Sequence, residues 1–72
     1  MNEIDFARRF GTRSGMAARE GNAALANAER DAFRIWIDLL APGHAGHELR
    51  GMLEREFARA YHEAKGTRPG EM

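Results

Sequence analysis

Between Asn22 and Pro42 the chain carries more apolar surface around one helix than a single neighbouring helix covers. Placed at steps of about 100°, Leu25, Ala28, Ala32, Ile35, Trp36 and Leu39 merge with Phe33, Ile37 and Leu40 into an arc of about 200°. The polar side is narrow and holds Asn27, Arg30, Asp31, Arg34 and Asp38, with Arg34 and Asp38 spaced for an i,i+4 pair. Asn22 is a good N-cap residue, and Ala41-Pro42-Gly43 is a firm stop because proline disfavours helical geometry in the residue before it. Gly21 is compatible with a longer helix beginning near Ser14, at about 1 kcal/mol relative to alanine. Glu29 falls inside the apolar arc. There a carboxylate needs an opening to water or a cation such as Arg50, Arg59 or an arginine of another chain.

A second amphipathic helix follows over residues 47–65, with Glu48 in its first turn and Lys65-Gly66 at its end. Leu49, Leu53, Phe57, Ala60 and Ala64 form its stripe, flanked by Met52 and Tyr61. The short connection predicts an antiparallel helical hairpin, with Trp36 near Leu49, Met52 and Leu53. Upstream, residues 3–20 read as a short N-terminal helical element whose Ile4, Phe6 and Phe10 cap the hairpin. The expected organisation is one small all-α domain over residues 1–66, with elements at 3–20, 22–40 and 47–65, and a flexible tail at 67–72.

Composition supports helix over strand: valine is absent, and Ala, Leu, Arg and Glu dominate. A chain of 72 residues without cysteine has neither disulfides nor thiolate metal sites to reinforce a small core, which leaves assembly as the source of added stability. Since one antiparallel neighbour leaves part of the arc open, the hairpin is expected to form a homodimer in a four-helix arrangement, with Leu25, Phe33, Ile37, Leu40 and Phe57 as its dimer core.

The 11 basic and 11 acidic residues cancel, which argues against a broad positive field of the kind that tracks nucleic acid or anionic lipid. No apolar run suits a signal peptide or a membrane span, so a soluble, cytoplasmic chain is expected. His44 and His47 lie three apart beside Glu48, but a transition-metal site needs three or four convergent ligands, and His62 is expected on the outward face of the next helix. The stretch is expected to be a solvated hinge; no metal and no cofactor are expected. The hydroxyls of Thr12, Ser14 and Thr67 sit beside no evident base, and the carboxylates occur mostly as solvated helix charges, so no enzymatic activity is expected.

In residues 6–21, "FARRFGTRSGMAAREG", apolar Phe6, small Ala7, apolar Phe10 and turn glycine Gly11 precede a segment that opens near Ser14. This order resembles the start of a helix-turn-helix unit. The resemblance implies that Phe6, Ala7 and Phe10 are buried, and that Arg13, Ser14 and Arg19 face phosphates or bases. Thr12 stands where that pattern has an aliphatic, Gly15 weakens the would-be recognition helix at its start, and Glu20 stands where the pattern has a core residue.

The function expected from these features is that of a small non-enzymatic protein–protein interaction module, an adaptor or inhibitor of a partner protein. Its partner-facing residues are expected to be Trp36, Tyr61, Met52, Arg30, Arg34, Arg55 and Arg59, residue types that often anchor interfaces. Small size and an arginine-rich, alanine-rich composition point to a bacterial, phage or mobile-element origin. The alternative is a small DNA-binding transcriptional regulator that uses residues 6–21 through Arg13, Ser14 and Arg19.

Overall fold

In the computed structural model residues 2–41 and 47–66 are described, and they form three helices: α1 (Glu3–Arg19), α2 (Ala23–Leu40) and α3 (His47–Lys65). His44, the Pro42-Gly43 stop and the tail at 67–72 lie outside the described residues, as does the side chain of His47. The described residues are all-α.

The helix ends follow local chemistry. Asn2 caps α1 by accepting from the Asp5 amide at 2.9 Å, and Glu3 and Asp5 place negative charge at the positive end of the helix dipole. At the other end Gly21 adopts φ +80°, its amide bonds to Ala18 O, and the Asn22 amide bonds to Ala17 O. This is a Schellman arrangement, which closes a helix with glycine in the left-handed region. Gly21 is therefore the stop of α1 and not a residue inside a longer helix. Asn22 then caps α2 directly, accepting from the Leu25 amide at 3.1 Å, so α1 turns into α2 within three residues.

α1 is the element on which the other two pack, most closely α3 and then α2. The sequence alone reads these residues as a cap on a two-helix hairpin. What distinguishes α1 is its small-residue line Ala7, Gly11 and Gly15, buried at i,i+4 spacing. A Cβ built on Gly11 would run into the carbonyl of Phe57 and meet Ala60 Cβ at 3.0 Å; one on Gly15 would run into the carbonyl of Tyr61 and meet Ala64 Cβ at 2.9 Å. The two helices thus meet backbone against backbone, a separation set by the small side chains at the contact.

The direction of each helix follows from its facing pairs. Phe6 meets Trp36, Phe10 meets Phe33, and Ser14 meets Ala26, so α1 and α2 run antiparallel. Arg8 meets Glu56 and Gly15 meets Tyr61, so α1 and α3 run parallel. α2 and α3 meet through longer side chains, with Phe33 stacked on Phe57 at 4.5 Å and Arg50 joined to Asp38 at 2.6 Å. That ion pair takes Asp38 in place of the expected Arg34, and its hydrogen bond holds the Arg50 guanidinium above its ordinary range.

The core is Ala7, Phe33, Ile37, Leu53 and Phe57, with Ile4, Phe10, Trp36, Leu49, Met52 and Tyr61 packed around it. Phe33, Ile37 and Phe57 were expected at a dimer interface; α1 places them inside the chain's own core. Leu25 and Leu40, assigned to the same interface, remain exposed. Ser14 is buried and donates to the Ala26 carbonyl at 2.8 Å, which satisfies the one buried polar side chain among the described residues.

Candidate interaction surface on the second helix

The 200° arc of α2 divides into two faces. Ala26, Phe33 and Ile37 point into the core, with Trp36 half-buried beside them. Leu25, Ala28, Ala32, Ile35 and Leu39 point away, and all five are exposed. Leu25 is 46%, Ile35 63% and Leu39 79% accessible. Their spacing of three, four, three and four is the a/d pattern of a helix that packs against another along a continuous seam. Among the described residues, four of the six large apolar side chains left exposed lie on α2. Covering a side chain of this size contributes about 1.5–3 kcal/mol, so leaving Ile35 and Leu39 in water forgoes a large share of what a small fold can gather.

The two edges of this seam differ. On one side Asp31 and Asp38 follow it round the helix, both exposed. On the other side Trp36 leads into α1, where its ring lies 5.8 Å from Phe6 and 5.9 Å from Phe10. Phe6 and Phe10 share a shallow recess with Arg9 and Arg13. Glu29, half-buried, falls on the same side of α2 as Trp36, seven residues before it. Arg50, one of the partners considered for it, is held by Asp38 and Glu54. The seam therefore has one edge that carries Asp31 and the Arg50-bound Asp38, and another where α1 supplies aromatic rings with Arg9 and Arg13.

The residues expected to face a partner do not form a single patch. Trp36 belongs to the α1 edge of the seam. Tyr61 lies half-buried where α2 meets α3, stacked with Phe57 and flanked by Arg30 and Lys65, each 5.6 Å from its ring centre. Arg30 and Arg34 border a recess with Phe33, Glu54 and Phe57. Met52 packs half-buried against the core, while Arg55 and Arg59 are exposed on α3, Arg59 beside Arg8, Thr12 and Glu63. Ala28, Ala32, Ile35 and Leu39 were part of the apolar arc in the sequence but were not singled out as site residues. The exposed heptad spacing was the available signal, and it becomes distinct only once α1 has covered the rest of the arc.

The helix-turn-helix arrangement is not realised in residues 6–21. α1 runs unbroken from Glu3 to Arg19 through Gly11, which serves as a contact for α3 in place of a turn. Ser14, expected to face DNA, is fully buried. Arg13 and Arg19 are exposed, Ala7 is buried, Phe10 is half-buried and Phe6 is 41% accessible.

Among the described residues no three His, Asp or Glu side chains are gathered to hold a metal ion, and no helix is long and apolar enough to cross a membrane. His62 makes a ring contact with Tyr61, centroids 5.4 Å apart. The class that fold and surface define, over the described residues, is a three-helix, all-α protein. No family model, curated protein or solved structure matches the chain.

Proposed function

We propose that this protein is a small non-enzymatic protein–protein interaction module, an adaptor or inhibitor of a partner protein, that works as a homodimer. One observation carries the reading: the seam Leu25, Ala28, Ala32, Ile35 and Leu39 stays open on a helix whose other face is buried. An exposed apolar stripe flanked by charge is the usual mark of an association surface. Self-association uses this seam. The surface around Arg30, Arg34 and Tyr61, where cations sit beside aromatic rings, then faces the partner.

A photo-crosslinking side chain placed at Arg34, at Leu39 or at the exposed Glu63 tests this in cells that encode the chain. A second protein is expected from position 34 and a self-adduct from position 39. Capture from position 34 no greater than from position 63 overturns the adaptor reading.

A further inference from the structure

We infer that a second copy of this chain occupies the outward seam of α2 in one orientation only: the two α2 helices parallel and related by a two-fold axis along their length. Each acidic edge then meets the other copy's basic edge. The inference deepens the proposed homodimer by naming the occupant of the seam and its register.

The seam itself suits a like helix. Leu25, Ala28, Ala32, Ile35 and Leu39 span about 21 Å at 1.5 Å per residue, two heptads, with large side chains at the ends and alanines in the middle. In a parallel two-fold pair each of these residues faces its own counterpart, so Leu39 meets Leu39 and Leu25 meets Leu25. The alanines let the helices approach closely at the centre, and the leucines close the ends.

Orientation is decided by the edges. A two-fold axis running along the helices places the α1 edge of one copy opposite the α2 edge of the other. Arg9 and Arg13 of one protomer then stand over Asp31 of its partner, and the same pairing repeats on the far side. The levels agree. α1 descends past α2 with Ser14 beside Ala26, Phe10 beside Phe33 and Phe6 beside Trp36. Arg13 and Arg9 therefore bracket the height of residue 31. Among the described residues, Asp31, Arg9 and Arg13 are in no ion pair within the chain, so all three have charge to offer; Asp5, which borders a recess with both arginines, and Glu29 partly offset the basic side. An antiparallel pair instead places Asp31 of one copy along the edge that carries Asp31 of the other, with Asp38 held by Arg50, and Arg9 and Arg13 along the same basic edge. Like charges then face each other, which disfavours that orientation by repulsion.

The absence of cysteine makes the test direct. Leu39→Cys and Leu25→Cys, each alone, are mixed with oxidant and separated by mass, and the two are also mixed together. The parallel pair predicts rapid self-bridging of each single variant and little bridging between positions 25 and 39. In parallel, sedimentation equilibrium compares the wild-type chain with Asp31→Arg and with the double variant Arg9→Asp, Arg13→Asp, all checked for helicity. Each variant alone is expected to self-associate about tenfold more weakly or worse, and an equimolar mixture of the two to regain association. Bridging mainly between positions 25 and 39 overturns the proposed orientation. A wild-type chain that stays monomeric up to about 0.5 mM, where even a small interface is populated, overturns the second copy as occupant. In that outcome capture of a partner from position 34 still stands or falls separately, so the two failures are told apart.

Discussion

The buried hydroxyl of Ser14 donates to the carbonyl of Ala26 at 2.8 Å, and this bond ties the middle of α1 to the first turn of α2 across a connection of three residues. It fixes the height of one helix against the other, and with it the level at which Arg9 and Arg13 stand beside the seam.

Ser14→Ala is expected to destabilise the fold by about 1 kcal/mol, the net worth of one hydrogen bond whose acceptor keeps its helical partner. Urea unfolding followed by circular dichroism should show a lower midpoint with an unchanged slope. An unchanged midpoint means the bond contributes nothing net.

Three glycines inside helices should respond with opposite signs. Gly11→Ala and Gly15→Ala drive a methyl into the backbone of α3 and should each destabilise by about 2–3 kcal/mol, despite the better helix propensity of alanine. Gly51→Ala meets nothing within 4 Å and should stabilise by about 0.5–1 kcal/mol. Thermal unfolding of the three variants decides it, and an equal response at all three positions contradicts the close approach of α1 and α3.

A charge placed on α2 should report which face it lands on. Ile37→Glu puts a carboxylate where accessibility is 0%, and a several-kcal/mol penalty is expected to unfold so small a domain. Leu39→Glu, at 79% accessibility, should leave the monomer fold within about 0.5 kcal/mol of wild type while weakening self-association. Helicity at low concentration separates the two, and loss of helicity in Leu39→Glu contradicts the exposed seam.

Specific duplex binding is not expected, because Ser14 is buried and the segment that resembles a helix-turn-helix is one continuous helix. Selection from a random duplex library at two salt concentrations should enrich no palindrome. Enrichment that disappears in Arg13→Ala or Arg19→Ala reverses that expectation.

The sequence by itself determined the helices, because capping, propensity and apolar periodicity act within a few residues of each other: Asn22 accepts from Leu25, and Gly66 follows Lys65 with φ +88°. It also showed that α2 carries too much apolar surface for one neighbour. Which part of that arc is covered was decided only by the tertiary structure. Gly11 and Gly15 read as a turn glycine and a weak helix position when only their own segment is considered, and Ser14 reads as a solvent-facing residue. Their role depends on α3, some 45 residues further along, laying the carbonyls of Phe57 and Tyr61 against the space where a side chain would be. Once α1 takes the inner position, Phe33, Ile37 and Phe57 are enclosed by the chain itself, and Leu25, Ile35 and Leu39 are left in water. A helical wheel gives the width of an apolar arc, whereas the choice of the face that stays open belongs to the helix that packs beside it.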